Sequence, residues 1–253
     1  MKHLIAQLSL GLLFGCGEEV SNLAKPPEAV PASRHLSHEV EGDTITITGC
    51  HKKASGSLII PRTIEGKSVA KIQRLAFSDC IRLTKVTIPD RVTSIGEGAF
   101  LGCTSLTSIT IPDSVTSIGR SAFHYCSRLT SIEIPSGVTS IGGSAFSSCR
   151  NLNEILVNEE NKEFVSINGV LFSKDYSKLI AFPAGKTDIT YTIPDSVTSI
   201  AGRAINSCQN LNEITIPDGV TIIGESAFHS CMFLNLSLIH IWRCRRIERC
   251  RSR

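Results

Sequence analysis

Cysteine and histidine are the residues of this 253-residue chain whose side chains could carry redox, metal or nucleophilic chemistry. Ten cysteines are present. Six of them share one position of a periodic pattern: Cys80, Cys103, Cys126, Cys149, Cys208 and Cys231. An even set of thiols could pair as disulfides, and Cys-x-x-Cys pairs could bind zinc. Each of the six instead follows a bulky apolar residue by three positions, which predicts a ladder of buried, reduced thiols and no metal site.

The histidines form no recognisable catalytic motif. His124 and His229 share the position after the repeated bulky apolar residue, so repetition explains them better than catalysis does. His-Glu-x-x-His, a phosphate loop and a Gly-x-Ser-x-Gly elbow do not occur. Enzymes need a unique convergent pocket, whereas a periodic array presents ladders. We therefore predict a protein that is not an enzyme and uses no cofactor; a catalytic alternative would need a non-repeating pocket beside residues 158–186.

The elements that position these residues repeat every 23 residues. The step separates the leucines Leu83, Leu106, Leu129 and Leu152, and the phenylalanines Phe77, Phe100, Phe123 and Phe146. An Ile-Pro step recurs at Pro61, Pro89, Pro112, Pro135, Pro194 and Pro217. A fixed period between 20 and 29 residues is typical of leucine-rich solenoids.

One unit, residues 106–128, shows how a coil is built. Ile109 and Ile111 are two positions apart, so they face one side of a strand that Pro112 ends. The following Val-Thr-Ser-Ile run predicts a second short strand, with Gly119 supplying a permissive bend. Phe123 and the cysteine after it then lie on a turn or one-turn helix over the core. Since a single coil cannot bury its own apolar face, stability must come from its neighbours.

At residues 41–235 the sequence resembles the BspA-like leucine-rich repeat family, through its xxIxIPxxVTSIGxxAFxxCxxL unit. The resemblance implies a β-rich solenoid: a leucine-rich repeat array with 23-residue coils of short parallel strands over residues 58–235, behind a β-rich N-terminal cap at residues 41–57. Residues 158–186 interrupt the period. The apolar runs 169–172 and 179–182 there flank a polar segment, which predicts a β-hairpin insertion.

The N-terminus has the composition of an export signal. In residues 1–16, Lys2 precedes an apolar run that is too short to span a bilayer permanently. The end of this run resembles a bacterial lipobox, so we predict lipidation of Cys16, although Phe14 stands where a small residue is usual. An ordinary signal peptide cleaved elsewhere and a buried apolar N-terminus are the alternatives. Residues 17–40 contain three prolines and few bulky apolar residues, which predicts a flexible tether.

The C-terminal residues 236–253 depart from the repeat. They contain six arginines and one glutamate; subtracting this net +5 from the formal charge of +3 leaves −2, so the body of the chain gives no support for nucleic-acid binding. Residues 236–241 correspond to the codons CTG TCT CTT ATA CAC ATC, which look like a transposase adapter used in sequencing libraries. We predict a non-native, adapter-derived tail and further native repeats. The alternative is a basic tail that binds nucleic acid or anionic lipid.

Outward positions of the first strand form two columns of candidate ligand-binding residues. The first column contains Lys85, Ser108, Ser131, Glu154 and Glu213, and the second contains Thr87, Thr110 and Glu133, with Leu156 and Thr215. A flat polar sheet can dock a protein through many weak contacts. The alternative is that these residues only solvate the sheet.

The predicted function is protein–protein interaction or adhesion at the bacterial cell surface, with membrane attachment through the N-terminal lipid. Some BspA-like relatives are adhesins, so the resemblance implies a protein ligand such as a host extracellular-matrix or cell-surface protein. The alternative is a structural envelope lipoprotein without a specific ligand.

Overall fold

The computed structural model describes residues 32–238, with side-chain surroundings for residues 34–234. The predicted signal segment with Cys16, most of the predicted tether and all but residues 236–238 of the predicted adapter-derived tail lie outside the described residues. Within the described part, no helix is long and apolar enough to cross a membrane.

The described chain consists of a short 3-10 helix, Ala32–His35, followed by strands joined by turns. The N-terminal strands are β1 (Leu36–Glu41), β2 (Thr44–Cys50), β3 (Gly56–Ile59), β4 (Thr63–Ile64) and β5 (Lys67–Ile72). The regular coils contain β6 (Leu83–Thr87), β7 (Ser94–Ile95), β8 (Ser108–Thr110), β9 (Ser117–Ile118), β10 (Ser131–Ile134), β11 (Ser140–Ile141) and β12 (Glu154–Val157). The insertion contributes β13 (Phe164–Ile167), β14 (Val170–Ser173) and β15 (Lys178–Ala181). The C-terminal coils contain β16 (Thr190–Thr192), β17 (Ser199–Ile200), β18 (Glu213–Ile216), β19 (Ile222–Ile223) and β20 (Asn235–Leu238).

Each coil has three sides, and the chain is a solenoid of the predicted kind. On the first side, parallel pairing joins β3, β6 and β8, then β10 and β12, then β16, β18 and β20. On the second side it joins β5, β7, β9 and β11, then β15, β17 and β19. Residues one period apart are partners, as Ile95 is of Ile118. The sequence period is therefore the coil, and the predicted short parallel strands are confirmed.

The second side shows why the repeat requires glycine after its Ile. A Cβ atom on Gly119 would lie 2.5 Å from the main-chain N of Glu97 in the preceding coil, and one on Gly142 would lie 2.3 Å from the N of Arg120. The sequence interpretation gave Gly119 the role of a permissive bend. The structure corrects this role: glycine is needed because successive coils pack backbone against backbone at this point.

The third side is a turn rather than a helix. Two residues in each coil adopt left-handed backbone conformations, two positions before and two after the buried Phe or its equivalent; in one coil these are Ser121 (φ 53°) and Tyr125 (φ 60°). The buried rings stack between coils, with centroids 4.9 Å apart for Phe77 and Phe100 and 5.5 Å apart for Phe100 and Phe123. Equivalent side chains thus lie in continuous files through the core.

The insertion contains the predicted hairpin, in which β14 and β15 pair antiparallel, and one strand that the sequence did not predict. That strand, β13, pairs antiparallel with β14 through a turn at Asn168 and Gly169. Strand β14 lies between two apolar clusters: Leu171 packs in the N-terminal cluster, while Val170 and Phe172 pack in the C-terminal one. The alternating side chains of this strand therefore join the two halves of the core.

The N-terminal boundaries differ from the sequence interpretation. Strand β1 begins at Leu36, inside the predicted tether, because it pairs antiparallel with β2 over its whole length. Strand β3 begins at Gly56, inside the predicted cap, and already occupies the first-side position of a coil. Strand β2 joins the second side by parallel pairing with β5 and so protects the edge of the first coil.

Candidate binding surfaces

The two predicted columns lie on the outer face of the first side. Lys85, Ser108, Glu154 and Glu213 of the first column are exposed and Ser131 is half-buried; in the second column Thr110 and Glu133 are exposed and Thr87 is half-buried. Register pairs align Lys85 with Ser108 and Ser131 with Glu154. The structure therefore aligns the first four members of the first column as two pairs, one on β6 and β8 and one on β10 and β12.

The same column is interrupted at the insertion. Glu213 is aligned with Thr190 of β16, and not with Glu154, because β12 and β16 belong to separate sheets. Thr190 is the neighbour that sequence reasoning missed. The sequence feature that could have identified Thr190 is Pro194, which follows it by four positions just as Pro89 follows Lys85.

Exposed apolar side chains extend this face at three points. Ile59 is 64% exposed and is the register partner of Thr87, so it belongs to the second column. Leu156, which the sequence placed in that column, is 43% exposed, and Ile189 beside β16 is 61% exposed. Apolar groups dispersed among polar ones are a common composition for a surface that docks a protein.

The repeat cysteines form a hydrogen-bonded ladder in the core. All six are free, and all but Cys231 are buried. The Cys126 thiol donates to the main-chain O of Phe100 in the preceding coil at 3.2 Å, and the Cys149 thiol donates to that of Phe123 at 3.0 Å. Burial raises the pKa of Cys103 and of Cys149 to about 12. A thiol without access to solvent and with a raised pKa is a poor nucleophile, so Cys103 and Cys149 serve packing.

The histidines occupy the positions expected from repetition. The His124 side chain is half-buried, burial lowers its pKa, and its Nδ1 has no hydrogen-bond partner among the described residues. His229 is exposed, and its Nδ1 lies 2.8 Å from the hydroxyl of the adjacent Ser230. No carboxylate hydrogen-bonds to either ring in the described part of the chain. A nucleophile, base and orienting acid are therefore not assembled there.

A cleft of about 620 Å³ lies beside the insertion, at the place that the sequence identified for a non-repeating pocket. Residues 139–147 form one wall, and residues of the hairpin and of the 201–206 turn form the other. Its ionisable lining residues are Arg120, Glu163, Lys178, Arg203 and Glu225. The lining contains no histidine and no cysteine.

A polar anchor attaches the start of the insertion to the preceding coil. Asn161 is fully buried, and its amide donates to the main-chain O of Pro135 at 2.7 Å and of Val138 at 3.0 Å. Its Oδ1 accepts from the main-chain N of Glu163 and of Phe164. Sequence reasoning placed this residue in the insertion and gave it no role.

A second polar cluster joins the two halves on the third side. The Ser148 hydroxyl donates to Oδ1 of Asn206 at 3.0 Å and lies 3.3 Å from the Ser207 hydroxyl, all three side chains being buried. Asn206 in turn donates to the main-chain O of His229 at 3.1 Å. No group of three or more His, Cys, Asp or Glu side chains able to hold a metal ion occurs among residues 34–234.

The sequence model of the BspA type leucine-rich repeat region matches residues 70–192 and 181–248, with six copies. These ranges together cover more than half of the chain. No curated protein gives a significant sequence match.

Three solved structures have similar folds. The pneumococcal vaccine antigen PcpA matches with a TM-score of 0.66 and 22% identity, over 81% of this chain and 68% of that chain, which shows the fold alone. A leucine rich cell surface protein from Faecalibacterium prausnitzii A2-165 has a TM-score of 0.58 and 26% identity, over 81% of this chain and 74% of that chain. A leucine-rich repeat protein from T. pallidum has a TM-score of 0.52 and 27% identity, over 81% of this chain and 79% of that chain.

Proposed function

The chain belongs to the BspA type leucine-rich repeat family, and from this premise we propose that it is an exported, lipid-anchored protein that binds a protein partner at the bacterial cell surface. Leucine-rich repeat solenoids typically act as protein-interaction scaffolds rather than enzymes. A similar structure is described as a cell surface protein, which supports the location. Host extracellular-matrix and cell-surface proteins are the proposed class of partner.

The observation that carries this proposal is the outer face of the first side. It presents aligned polar columns, with Lys85 at one end, Glu154 and Glu213 further along, and exposed Ile59 and Leu156 beside them. Opposite charges at separate points would fix the orientation of a partner, and the apolar groups would supply contact area.

A binding assay with a charge-reversed column tests the proposal. The triple variant Lys85→Glu, Glu154→Lys and Glu213→Lys should abolish saturable binding of the full chain to immobilised extracellular-matrix proteins. A matched control, Arg128→Glu with Arg150→Glu, changes exposed charges at the start of the next coil and should keep binding. Unchanged binding by the triple variant would exclude the columns as the binding surface. No saturable binding by the parent chain would contradict the proposal and favour a structural envelope lipoprotein.

The proposed anchor rests on the N-terminal sequence alone. Metabolic labelling with a radioactive fatty acid should mark the parent chain and fail to mark a Cys16→Ser variant. Equal labelling of both chains would exclude this cysteine as the acylated residue.

A further inference from the structure

The second-side ladder of hydrogen bonds stops at β11. In the regular coils the main-chain N of each Thr donates to the O of the equivalent Thr one coil earlier: Thr116 to Thr93 and Thr139 to Thr116, both at 2.9 Å. The main-chain O of Thr139 has no such donor among the described residues. One acceptor of the ladder is therefore open.

Further main-chain groups of the same coil are open, one on the second side and others on the third side. Gly142 N donates to Ile118 O at 2.8 Å, yet no described group donates to Ile141 O. Phe123 N donates to Ala145 O at 2.9 Å, yet Phe146 N has no acceptor in the described part of the chain. Two second-side acceptors thus face the position where a further coil would lie, as do the third-side donors Ser144 N, Phe146 N and Ser148 N, none of which has a main-chain acceptor among the described residues.

The insertion explains why β11 has no partner strand on this side. Strand β14 pairs with β15 and not with β11, so the next second-side strand is displaced from the edge. Ile95 and Ile118 are 1% exposed at the repeated position, whereas Ile141 is only partly buried and lines the cleft. The edge therefore lacks both its hydrogen-bond partners and its apolar cover.

We infer that the cleft binds an extended segment of a partner protein, which adds to β11 as a parallel strand and supplies the missing donors to Thr139 O and Ile141 O. The inference rests on the proposed protein-binding function and deepens it by assigning a second site. Open sheet edges template the pairing of another strand, and main-chain hydrogen bonds give such complexes their affinity. A volume of about 620 Å³ is within the usual range for ligand clefts.

The lining also sets the composition of the segment. Ile141, Ile180 and Phe182 offer an apolar subsite for an aliphatic side chain. The three basic lining residues, Arg120, Lys178 and Arg203, are exposed and have no carboxylate within 4.0 Å among the described residues. The lining contains two acidic residues, Glu163 and Glu225, so its net charge is positive. The segment therefore carries at least one acidic residue as well as the aliphatic one, and its binding weakens as salt is added.

The repeat itself provides a probe. A synthetic peptide with the sequence of residues 113–119, DSVTSIG, is the second-side run that a further coil would place against β11. Titrated into full-length protein with labelled isoleucine methyl groups, it should shift the Ile141 resonance saturably and leave that of Ile118 unchanged. N-methylation of the peptide at the Thr and Gly nitrogens removes the two donors and should raise Kd at least about tenfold.

Two substitutions in the protein provide a further test and its control. A Cβ on Gly143, which lines the cleft, has no atom within 4 Å, so the backbone accepts a side chain there and Gly143→Trp places a large ring at the cleft. This variant should lose peptide binding and keep the parent melting temperature. Gly219→Trp, at an exposed glycine whose Cβ would have ordinary contacts, should bind the peptide as the parent does.

Four results would overturn the inference: an unshifted Ile141 resonance, equal affinity for the N-methylated peptide, unchanged binding by Gly143→Trp, or conversion of a dimer to a monomer by Gly143→Trp in sedimentation. The last result would identify a second copy of the chain as the occupant. Failure here leaves the charge-reversal assay on the columns intact, so the two proposals fail separately.

Discussion

The regular coils and the insertion satisfy their main-chain groups by different means. Between Phe77 and Cys149, each coil provides the hydrogen-bond partners of the next, and identical side chains stack in files. At the interruption, side chains such as Asn161 within the insertion and Ser148 just before it carry part of this role. In a regular repeat each coil pairs the main-chain groups of its neighbour. Where the repeat is interrupted, single side chains must form these hydrogen bonds, and the edge at β11 is left without a partner strand.

The regular half should be most sensitive to loss of a stacked ring. Phe123 is fully buried, with the rings of Phe100 and Phe146 at 5.5 and 5.8 Å. We expect Phe123→Ala to lower the free energy of unfolding by about 3–5 kcal/mol through the cavity it creates, as measured by urea denaturation.

The control for that change is Thr110→Ala on the exposed face, which should cost less than about 0.5 kcal/mol. Similar losses for the two variants would contradict the assignment of inward and outward positions.

The insertion should be most sensitive to loss of its buried amide. Asn161→Ala removes four hydrogen bonds and leaves buried main-chain groups without partners, so we expect a loss of about 2–3 kcal/mol in thermal or urea unfolding. Asn158→Ala removes one hydrogen bond, to the main-chain N of Glu160, and should cost less than about 1 kcal/mol. If the Asn161 variant unfolds like the Asn158 variant, the anchor has been misidentified.

The thiol ladder makes the regular coils sensitive to alkaline pH. Burial raises the pKa of Cys103 and Cys149 from 9.0 to about 12, so the folded state binds protons that the unfolded state releases. Their contribution is complete below pH 9 and is lost as pH rises towards 12, by about 1 kcal/mol for each thiol at pH 10. The double variant Cys103→Ala and Cys149→Ala should show a shallower fall in melting temperature between pH 8 and pH 10. A fall as steep as that of the parent would refute the role of the thiols.

A smaller effect than that at Asn161 is expected at the polar cluster on the third side. Ser148→Ala removes the hydrogen bond from the Ser148 hydroxyl to Asn206. Because Asn206 still accepts a hydrogen bond from Ser207, the free energy of unfolding should fall by about 1 kcal/mol in denaturant unfolding. A loss comparable with that of Asn161→Ala would mean that this cluster, and not the amide, holds the halves together.

The sequence predicted the features that repetition encodes. The period of 23 residues, the inward Ile and Phe positions, the buried thiols and the hairpin of β14 and β15 could all be read from spacing, because each pattern has several copies or an alternating apolar run. The role of Gly119 could not, since a close approach between coils leaves no local signature. Strand β13, Asn161 and the open edge at Ile141 each occur once, and a single polar residue has the same appearance in a solvated loop and in a buried anchor.

Residue-resolved amide hydrogen exchange of the full chain tests the contrast between the coils and the interruption most directly. The amides of Phe77, Phe100 and Phe123 donate to the following coil at 2.7–2.9 Å and should exchange slowly, whereas the amide of Phe146 should exchange at least about a hundredfold faster. Equal protection of all four amides would contradict the open edge, and rapid exchange of the first three would contradict the stacking of the coils itself.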